Sequence, residues 1–186
     1  MTIAHDVPRT AAAHNDPADP SWNQRVYDVL KGHRVTQVSY VPDAGHTETI
    51  NRFLADEDVA TTVLTTEEEG IALSTGAWLG GERSVVLMQS SGVGNCINML
   101  SLPVITRSPF LTLVTMRGEW HEFNPWQMPM GHAVEASLAA VGVHVMRATT
   151  PEEVPAVVDS AATMAFQADQ QIAVLISQQV MEVKSW

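Results

Sequence analysis

The sequence feature that most constrains the fold is a series of short, largely apolar runs. They alternate with segments that have helical periodicity. Residues 84–88, 110–116 and 172–176 are apolar at most positions rather than at every second one. Strands of this kind are covered on both faces, as in parallel sheets with helices on either side. About six such alternations predict an α/β fold, with a doubly wound, mainly parallel sheet of about six strands and helices on both faces.

Apolar periodicity and β-branched content set the expected bounds of these elements. The predicted strands span residues 35–41, 59–65, 84–88, 110–116, 145–148 and 172–176. The predicted helices span residues 22–32, 47–54, 68–79, 96–102, 133–141 and 151–167. Ser21 and Thr150 are the expected N-caps of the first and last helices. Residues 120–131 are expected to form a long polar and aromatic loop.

Residues 1–20 are rich in Ala, Asp, Pro and His and show no periodicity, which predicts a flexible tail before one domain at 21–186. The formal net charge of −11 argues against nucleic acid and an anionic membrane surface as partners. We find neither a membrane-spanning apolar run nor a signal-peptide pattern. The single cysteine, Cys96, excludes an internal disulfide and a cysteine-based zinc site, and we interpret it as a packing residue. Together these features predict a cytoplasmic protein.

Four predicted strand ends carry unusual residues, at 42–46, 67–70, 89–95 and 117–131. Each could be an ordinary solvated loop, but the carboxyl ends of parallel strands meet at one edge, so the four together favour a site. The glycine-rich turn at 89–95 is not a dinucleotide fingerprint and lacks the lysine of a phosphate-binding loop. The small residues of the predicted helix at 68–79 indicate close packing against the sheet or a second subunit.

Three sequence runs resemble the pyrimidine-binding domain of thiamine-diphosphate-dependent decarboxylases. They are TEEEGIALSTGAWLG at 66–80, VLMQSSGVGN at 86–95 and RGEWHEFNPWQMPMG at 117–131, with VPD at 41–43 matching the family's first strand end. The resemblance covers about residues 22–180, and within the family it is strongest to the α subunit of sulfopyruvate decarboxylase and to phosphonopyruvate decarboxylase. It implies that residues 21–186 are a pyrimidine-binding α/β domain.

The resemblance implies thiamine diphosphate as cofactor and a catalytic glutamate that hydrogen-bonds its aminopyrimidine ring. Family members have a glycine nine residues after this glutamate. Counting back from Gly76 gives Glu67, whereas counting forward along the preceding strand from Val63 favours Glu68. Both remain candidates, and we prefer Glu67. The other predicted cofactor contacts are Pro42, Gly92 and Asn95.

The resemblance also places the turn at 89–95, which follows the predicted strand at 84–88, near the substrate. It therefore implies a catalytic role for Gln89 and a substrate-binding role for Ser90. In the loop at 117–131 it gives Gln127 a role in proton transfer and His121 a role in substrate binding. One departure concerns the first strand end, where Ala44 replaces a serine expected near the substrate anion. His46 follows nearby and could bind an acidic group, shuttle a proton or cap the next helix.

The diphosphate-binding motif of this family, Gly-Asp-Gly followed by Asn, is missing from the sequence. We therefore expect a separate diphosphate-binding β subunit to hold most of the cofactor and its Mg²⁺, and we predict no metal ligand in this chain. The implied function is the α subunit of a hetero-oligomeric 2-oxo acid decarboxylase that releases CO₂ from sulfopyruvate or a similar acid to give an aldehyde. The alternatives are a related carboligase or lyase subunit and a non-catalytic regulatory module.

Overall fold

A computed structural model describes residues 21–181, so the predicted N-terminal tail lies outside the described residues. Six strands form one sheet in the order β2-β1-β3-β4-β6-β5, and every neighbouring pair is parallel. The strands are β1 (Val35–Tyr40), β2 (Ala60–Val63), β3 (Arg83–Gln89), β4 (Phe110–Thr115), β5 (His144–Ala148) and β6 (Gln171–Ile176). The predicted doubly wound parallel sheet is confirmed.

Within residues 21–181 seven α-helices flank these strands, the first of them before β1. They are α1 (Trp22–Gly32), α2 (Thr47–Leu54), α3 (Glu67–Leu79), α4 (Ser90–Cys96), α5 (Ser101–Thr106), α6 (Met128–Ala140) and α7 (Glu153–Ala168). The predicted cap of α1 is confirmed, because the Ser21 hydroxyl accepts the N–H of Gln24 at 3.2 Å. The predicted Thr150 cap is wrong. Instead, the Glu153 carboxylate accepts the N–H groups of Thr149 and Thr150.

The glycine-rich segment after β3 is a helix rather than a turn, and the predicted helix at 96–102 is wrong. Helix α4 begins at Ser90 and ends at Cys96, a turn follows at residues 97–100, and α5 begins at Ser101. Pro103 explains the break, because a proline ring in a helix interior clashes with the carbonyl four residues earlier. Starting a new helix at Ser101 places Pro103 in its first turn, and the Met99 carbonyl accepts the Leu102 N–H at 2.9 Å instead.

The expected loop at 120–131 is shorter than predicted. A 3₁₀ turn forms at Pro125–Gln127, and α6 begins at Met128 rather than at residue 133. Pro129 resembles a loop signal in the sequence, but a helix accommodates proline in its first turn, where the N–H has no intrahelical partner. The Asn124 side chain accepts the N–H of Trp126 at 3.1 Å and so stabilises the 3₁₀ turn.

The sheet separates two apolar cores. Val85 and Leu87 of β3 face the core that contains α1 and α7, whereas Val86 and Met88 face the core that contains α3, α4 and α6. Because both faces of the central strands are buried, these strands are apolar at consecutive positions. Within residues 21–181 no helix combines the length and apolar content needed to cross a membrane.

Two glycines of α3 allow a matched test of this packing. In Gly70→Ala the added Cβ would lie 2.8 Å from Val86 Cγ1, and overpacking of about 1–3 kcal/mol should exceed the helix-propensity gain of about 1 kcal/mol. In Gly76→Ala the Cβ meets no described atom within 4 Å. The free energy of unfolding should therefore rise by about 0.5–1 kcal/mol. Denaturant titration measures both values, and equal effects would contradict the packing of α3.

Candidate active site

The carboxylate of Asp43 connects the carboxyl ends of three neighbouring strands. Asp43 follows β1, and its two oxygens accept hydrogen bonds from Gln89 Nε2 at 2.8 Å, Thr115 Oγ1 at 2.5 Å and the Gly45 N–H at 3.1 Å. Gln89 ends β3 and Thr115 ends β4. The sequence reasoning missed Asp43 as a site residue, although the VPD run at 41–43 was a signal that could have found it.

Gln89 is fixed at both ends of its amide. Its nitrogen donates to Asp43, and its oxygen accepts a hydrogen bond from the Ser91 hydroxyl at 3.0 Å. Gln89 remains half-buried at the sheet edge. A ligand at this edge would therefore meet an amide of defined orientation.

Glu67 lies against α4. Its residue surface is only 8% exposed, and its Oε2 accepts a hydrogen bond from Asn95 Nδ2 at 2.8 Å. A Cβ on Gly92 would lie 2.3 Å from Glu67 Oε1, so only glycine allows this approach. The structure thus brings together Glu67, Gly92 and Asn95, three of the four predicted cofactor contacts. The fourth, Pro42, is exposed at the end of β1.

The neighbouring glutamates bind their own turn. The Glu68 carboxylate accepts a hydrogen bond from the Thr66 hydroxyl at 2.7 Å, and the Glu69 carboxylate accepts one from the Thr65 N–H at 2.9 Å. Carboxylates in a first helical turn are stabilised by its N–H groups and dipole. Of the three, Glu67 is the most buried and the one bonded to another helix, which favours it over Glu68 as the predicted catalytic residue.

The predicted substrate contacts Ser90 and His46 both have buried side chains. The Ser90 hydroxyl accepts the Arg117 N–H at 3.1 Å. The His46 ring is 1% exposed, and its Nε2 donates to the Leu113 carbonyl oxygen at 3.1 Å. Burial lowers the pKa of His46, so the ring is neutral near pH 7. Neither side chain reaches the protein surface, and His46 makes no side-chain cap to α2.

A buried carboxylate, Glu122, organises the loop after β4. It accepts two hydrogen bonds of 2.6 Å from the Arg117 guanidinium and others from the N–H groups of Gly118 and Asn124 and from Gln178 Nε2. The Arg117 hydrogen bonds, more than any other contact, lower the pKa of Glu122 to about 2. Sequence reasoning missed this pair, because residues five apart in a loop have no periodic relation that predicts contact.

A cleft of about 1020 Å³ lies between α1, α2 and this loop, with Asp43 and Thr115 among its lining residues. His121, predicted to bind substrate, lines the cleft and is exposed. Gln127 is half-buried outside the lining, and its side-chain oxygen has no hydrogen-bond partner among the described residues. The structure therefore brings His121 to the cleft near Asp43 but does not bring Gln127 there.

Cys96, the last residue of α4, is buried. Burial raises the pKa of Cys96 to about 12, with a smaller contribution from Glu67. A thiol with this pKa is a poor nucleophile, which agrees with a packing role. Within residues 21–181 no group of three or more His, Cys, Asp or Glu side chains is arranged to hold a metal ion.

Comparison with characterised proteins shows similarity to one kind of subunit along most of the chain. Sulfopyruvate decarboxylase subunit alpha of Methanococcus maripaludis is 32% identical over 155 residues, which cover 83% of this chain and 93% of the relative. The Methanocaldococcus jannaschii subunit is 30% identical over 151 residues, covering 81% and 89%. Phosphonopyruvate decarboxylase of Streptomyces viridochromogenes is 40% identical over 90 residues, but these cover only 23% of that protein. No family model matches the chain.

Solved structures share the fold at low sequence identity. Benzoylformate decarboxylase from Polynucleobacter necessarius superposes with a TM-score of 0.69 at 18% identity, covering 89% of this chain and 33% of that chain. A 2-oxoglutarate:ferredoxin oxidoreductase from Magnetococcus marinus gives 0.71 at 16% identity, covering 86% and 29%. A Mycobacterium smegmatis protein proposed to be thiamin diphosphate-dependent gives 0.65 at 18% identity, covering 90% and 34%. These likenesses support the doubly wound domain.

The Glu122 carboxylate predicts a pH dependence of stability. Glu122→Gln should lower the free energy of unfolding at pH 7 by about 3 kcal/mol, because Arg117 loses its buried partner. The folded-state pKa of about 2 lies below the ordinary value of 4.5. The contribution of Glu122 is therefore fully present above pH 4.5 and is lost as the pH falls towards 2.

Denaturant titrations of wild type and Glu122→Gln between pH 7 and pH 3.5 measure this difference. Glu135→Gln, which removes an exposed carboxylate 3.6 Å from Arg147, is the control and should change stability little. A Glu122→Gln effect that is constant with pH would show that the ionised carboxylate does not supply the stability.

Proposed function

This chain belongs to the family of sulfopyruvate decarboxylase α subunits, and we propose that it is the pyrimidine-binding subunit of a heteromeric thiamine-diphosphate-dependent decarboxylase. Its proposed reaction releases CO₂ from sulfopyruvate or a similar acidic 2-oxo acid and leaves an aldehyde. The observation that supports this most is the Glu67 carboxylate, which lies against the Gly92 backbone and is hydrogen-bonded by Asn95.

The surroundings of Glu67 fit an aminopyrimidine ring. Among residues 21–181 Glu67 forms no ion pair with Lys, Arg or His, and its one side-chain partner is the neutral Asn95 amide. A carboxylate without a cationic partner can share a proton with a ring nitrogen more readily than one held by a guanidinium. Glu122, which is held in that way, is the contrasting case in this chain.

Thiamine diphosphate, when bound, accepts the electron pair that remains as CO₂ leaves. The residues of this chain would then orient groups and move protons. Glu67 holds or shares a proton at the pyrimidine ring, and Asn95 fixes the orientation of the Glu67 carboxylate. Gln89, positioned by Asp43, offers its amide to the substrate or to the reacting centre.

A separate partner subunit belongs to this proposal, because the relatives that match along most of their own length are named as α subunits. Exposed apolar side chains offer a surface for that partner. They include Leu73 and Leu79 of α3, Val104 and Ile105 of α5, and Trp126, which is 82% exposed. The proposal places this hetero-oligomer in the cytoplasm.

Glu67→Gln tests the proposed function. The amide has the shape of the glutamate but cannot take up a proton, so kcat should fall roughly a hundredfold or more. Glu68→Gln, a neighbour bonded to its own turn, should stay within about twofold of wild type. The measurement is CO₂ release from sulfopyruvate by the chain co-purified with its partner, with thiamine diphosphate and Mg²⁺ added.

Size-exclusion chromatography of each variant with the partner checks that the complex still assembles. Unchanged turnover in Glu67→Gln would contradict the catalytic assignment. Loss of turnover in Glu68→Gln alone would transfer the role to Glu68. Absence of CO₂ release from every 2-oxo acid tested with the wild-type complex would contradict the proposed reaction.

A further inference from the structure

The cleft beside Asp43 concentrates positive charge in an acidic chain. The sequence has ten Lys and Arg residues and a net charge of −11, yet Arg25, Arg52 and Arg117 all line this one cleft. The acidic residues of the lining are Asp43 and Glu48. The lining therefore holds more arginines than carboxylates, although the chain as a whole is acidic.

Two of the three arginines are already neutralised. Arg52 Nη2 lies 2.6 Å from Glu48, which also accepts hydrogen bonds from Ser21 and Asn23. Arg117 forms its two-bond contact with Glu122. Neither guanidinium has its full charge available for a ligand.

Arg25 differs from both. Among residues 21–181 its side chain makes no ion pair and no hydrogen bond, whereas its Nε, like that of Arg52, is buried without an acceptor. A buried N–H without an acceptor is unfavourable, and a ligand that brings an oxygen would relieve this cost. A guanidinium presents its donors in a planar fork that matches the oxygens of a carboxylate or sulfonate.

The rest of the lining limits the ligand's size and orientation. Trp22, Trp120 and Met116 provide apolar walls for a small organic body. The Asp43 carboxylate would repel a second anionic group placed beside it. Ala44, also in the lining, has no hydroxyl with which to bind an anion. The anionic group of a ligand would thus lie at α1 and not at the end of β1.

We propose that Arg25 binds the acidic group that an acidic 2-oxo acid keeps after CO₂ leaves, and so determines substrate specificity. This inference rests on the proposed function for the identity of the substrate. The binding site itself is a property of this chain. The group recognised is a sulfonate or carboxylate at the end of a short carbon chain.

Calorimetric titration with sulfoacetate, an unreactive carboxylate–sulfonate dianion, tests the site without turnover. The wild-type chain co-purified with its partner should bind sulfoacetate more tightly than acetate, which lacks the sulfonate. Arg25→Gln should weaken sulfoacetate binding roughly ten- to a hundredfold through loss of a charge-assisted hydrogen bond. Arg34→Gln, which removes the same charge from an exposed residue before β1, should bind like wild type.

Steady-state kinetics of the same complexes give a second readout. Arg25→Gln should raise KM for sulfopyruvate with little change in kcat, and should leave kcat/KM for pyruvate, which has no second acidic group, unchanged. Arg25→Lys should recover part of the sulfopyruvate affinity, because it restores the charge but not the planar fork. Thermal unfolding of each variant checks that the chain remains folded.

The two proposals fail separately. Sulfoacetate binding that is absent in wild type, or unchanged in Arg25→Gln, would overturn the role of Arg25 even if the complex releases CO₂. An equal rise in KM for pyruvate and sulfopyruvate would do the same, because it would indicate a general loss of the site. A complex that binds sulfoacetate through Arg25 but decarboxylates no 2-oxo acid would contradict the proposed reaction and leave the anion site standing.

Discussion

The approach of the Glu67 side chain to the backbone of Gly92 is the contact on which the candidate site depends. A Cβ at Gly92 would lie 2.3 Å from Glu67 Oε1, far inside any tolerated separation. Asn95 is three residues further along α4, one helical turn, so its amide reaches the same carboxylate. Gly70 has a related role in α3, because its missing Cβ lets this helix pack against Val86 of β3.

Two buried or half-buried carboxylates in this chain have contrasting environments. Glu122 is held by the Arg117 guanidinium and several N–H donors, which lower its pKa to about 2 and keep it ionised. Such a carboxylate stabilises a loop but is unsuited to taking up a proton near neutral pH. Glu67 has a neutral amide as its side-chain partner and lies at a helix end beside the sheet edge. The hydrogen-bond partners therefore distinguish a structural carboxylate from a candidate catalytic one.

The strands were predictable because burial on both faces of a parallel sheet leaves a direct trace in the sequence. The bounds of α1 and α2 also agreed with the structure, since both helices show clear apolar periodicity and α1 has a serine cap. Helix α4 was missed because Ser and Gly are poor helix formers in isolation, and α4 packs against both α6 and α3. Helix α6 was shortened in the prediction because Pro129 was interpreted as part of a loop.

The site residues also fall into two groups. Some could be identified from a local sequence motif, whereas the environment of others depends on residues that are distant in the sequence. Glu67, Gly92 and Asn95 came together as the family resemblance implied, whereas Ser90 and His46 proved buried. Burial of a single polar side chain depends on neighbours distant in sequence, such as Arg117 for Ser90 and Leu113 for His46. The same reason explains why the contacts of Asp43 and Arg25 became visible only in three dimensions.

Hydrogen–deuterium exchange at the thiazolium C2 of thiamine diphosphate, bound to the chain and its partner, tests the central claim most directly. If Gly92 positions Glu67 at the pyrimidine ring, Gly92→Ala should slow this exchange by about a hundredfold, because a small displacement of a catalytic group has an effect of that size. Gly94→Ala is the matched control, since its Cβ would meet the flexible Met130 side chain at 3.2 Å, and it should exchange like wild type. Exchange in Gly92→Ala as fast as in wild type would contradict the account.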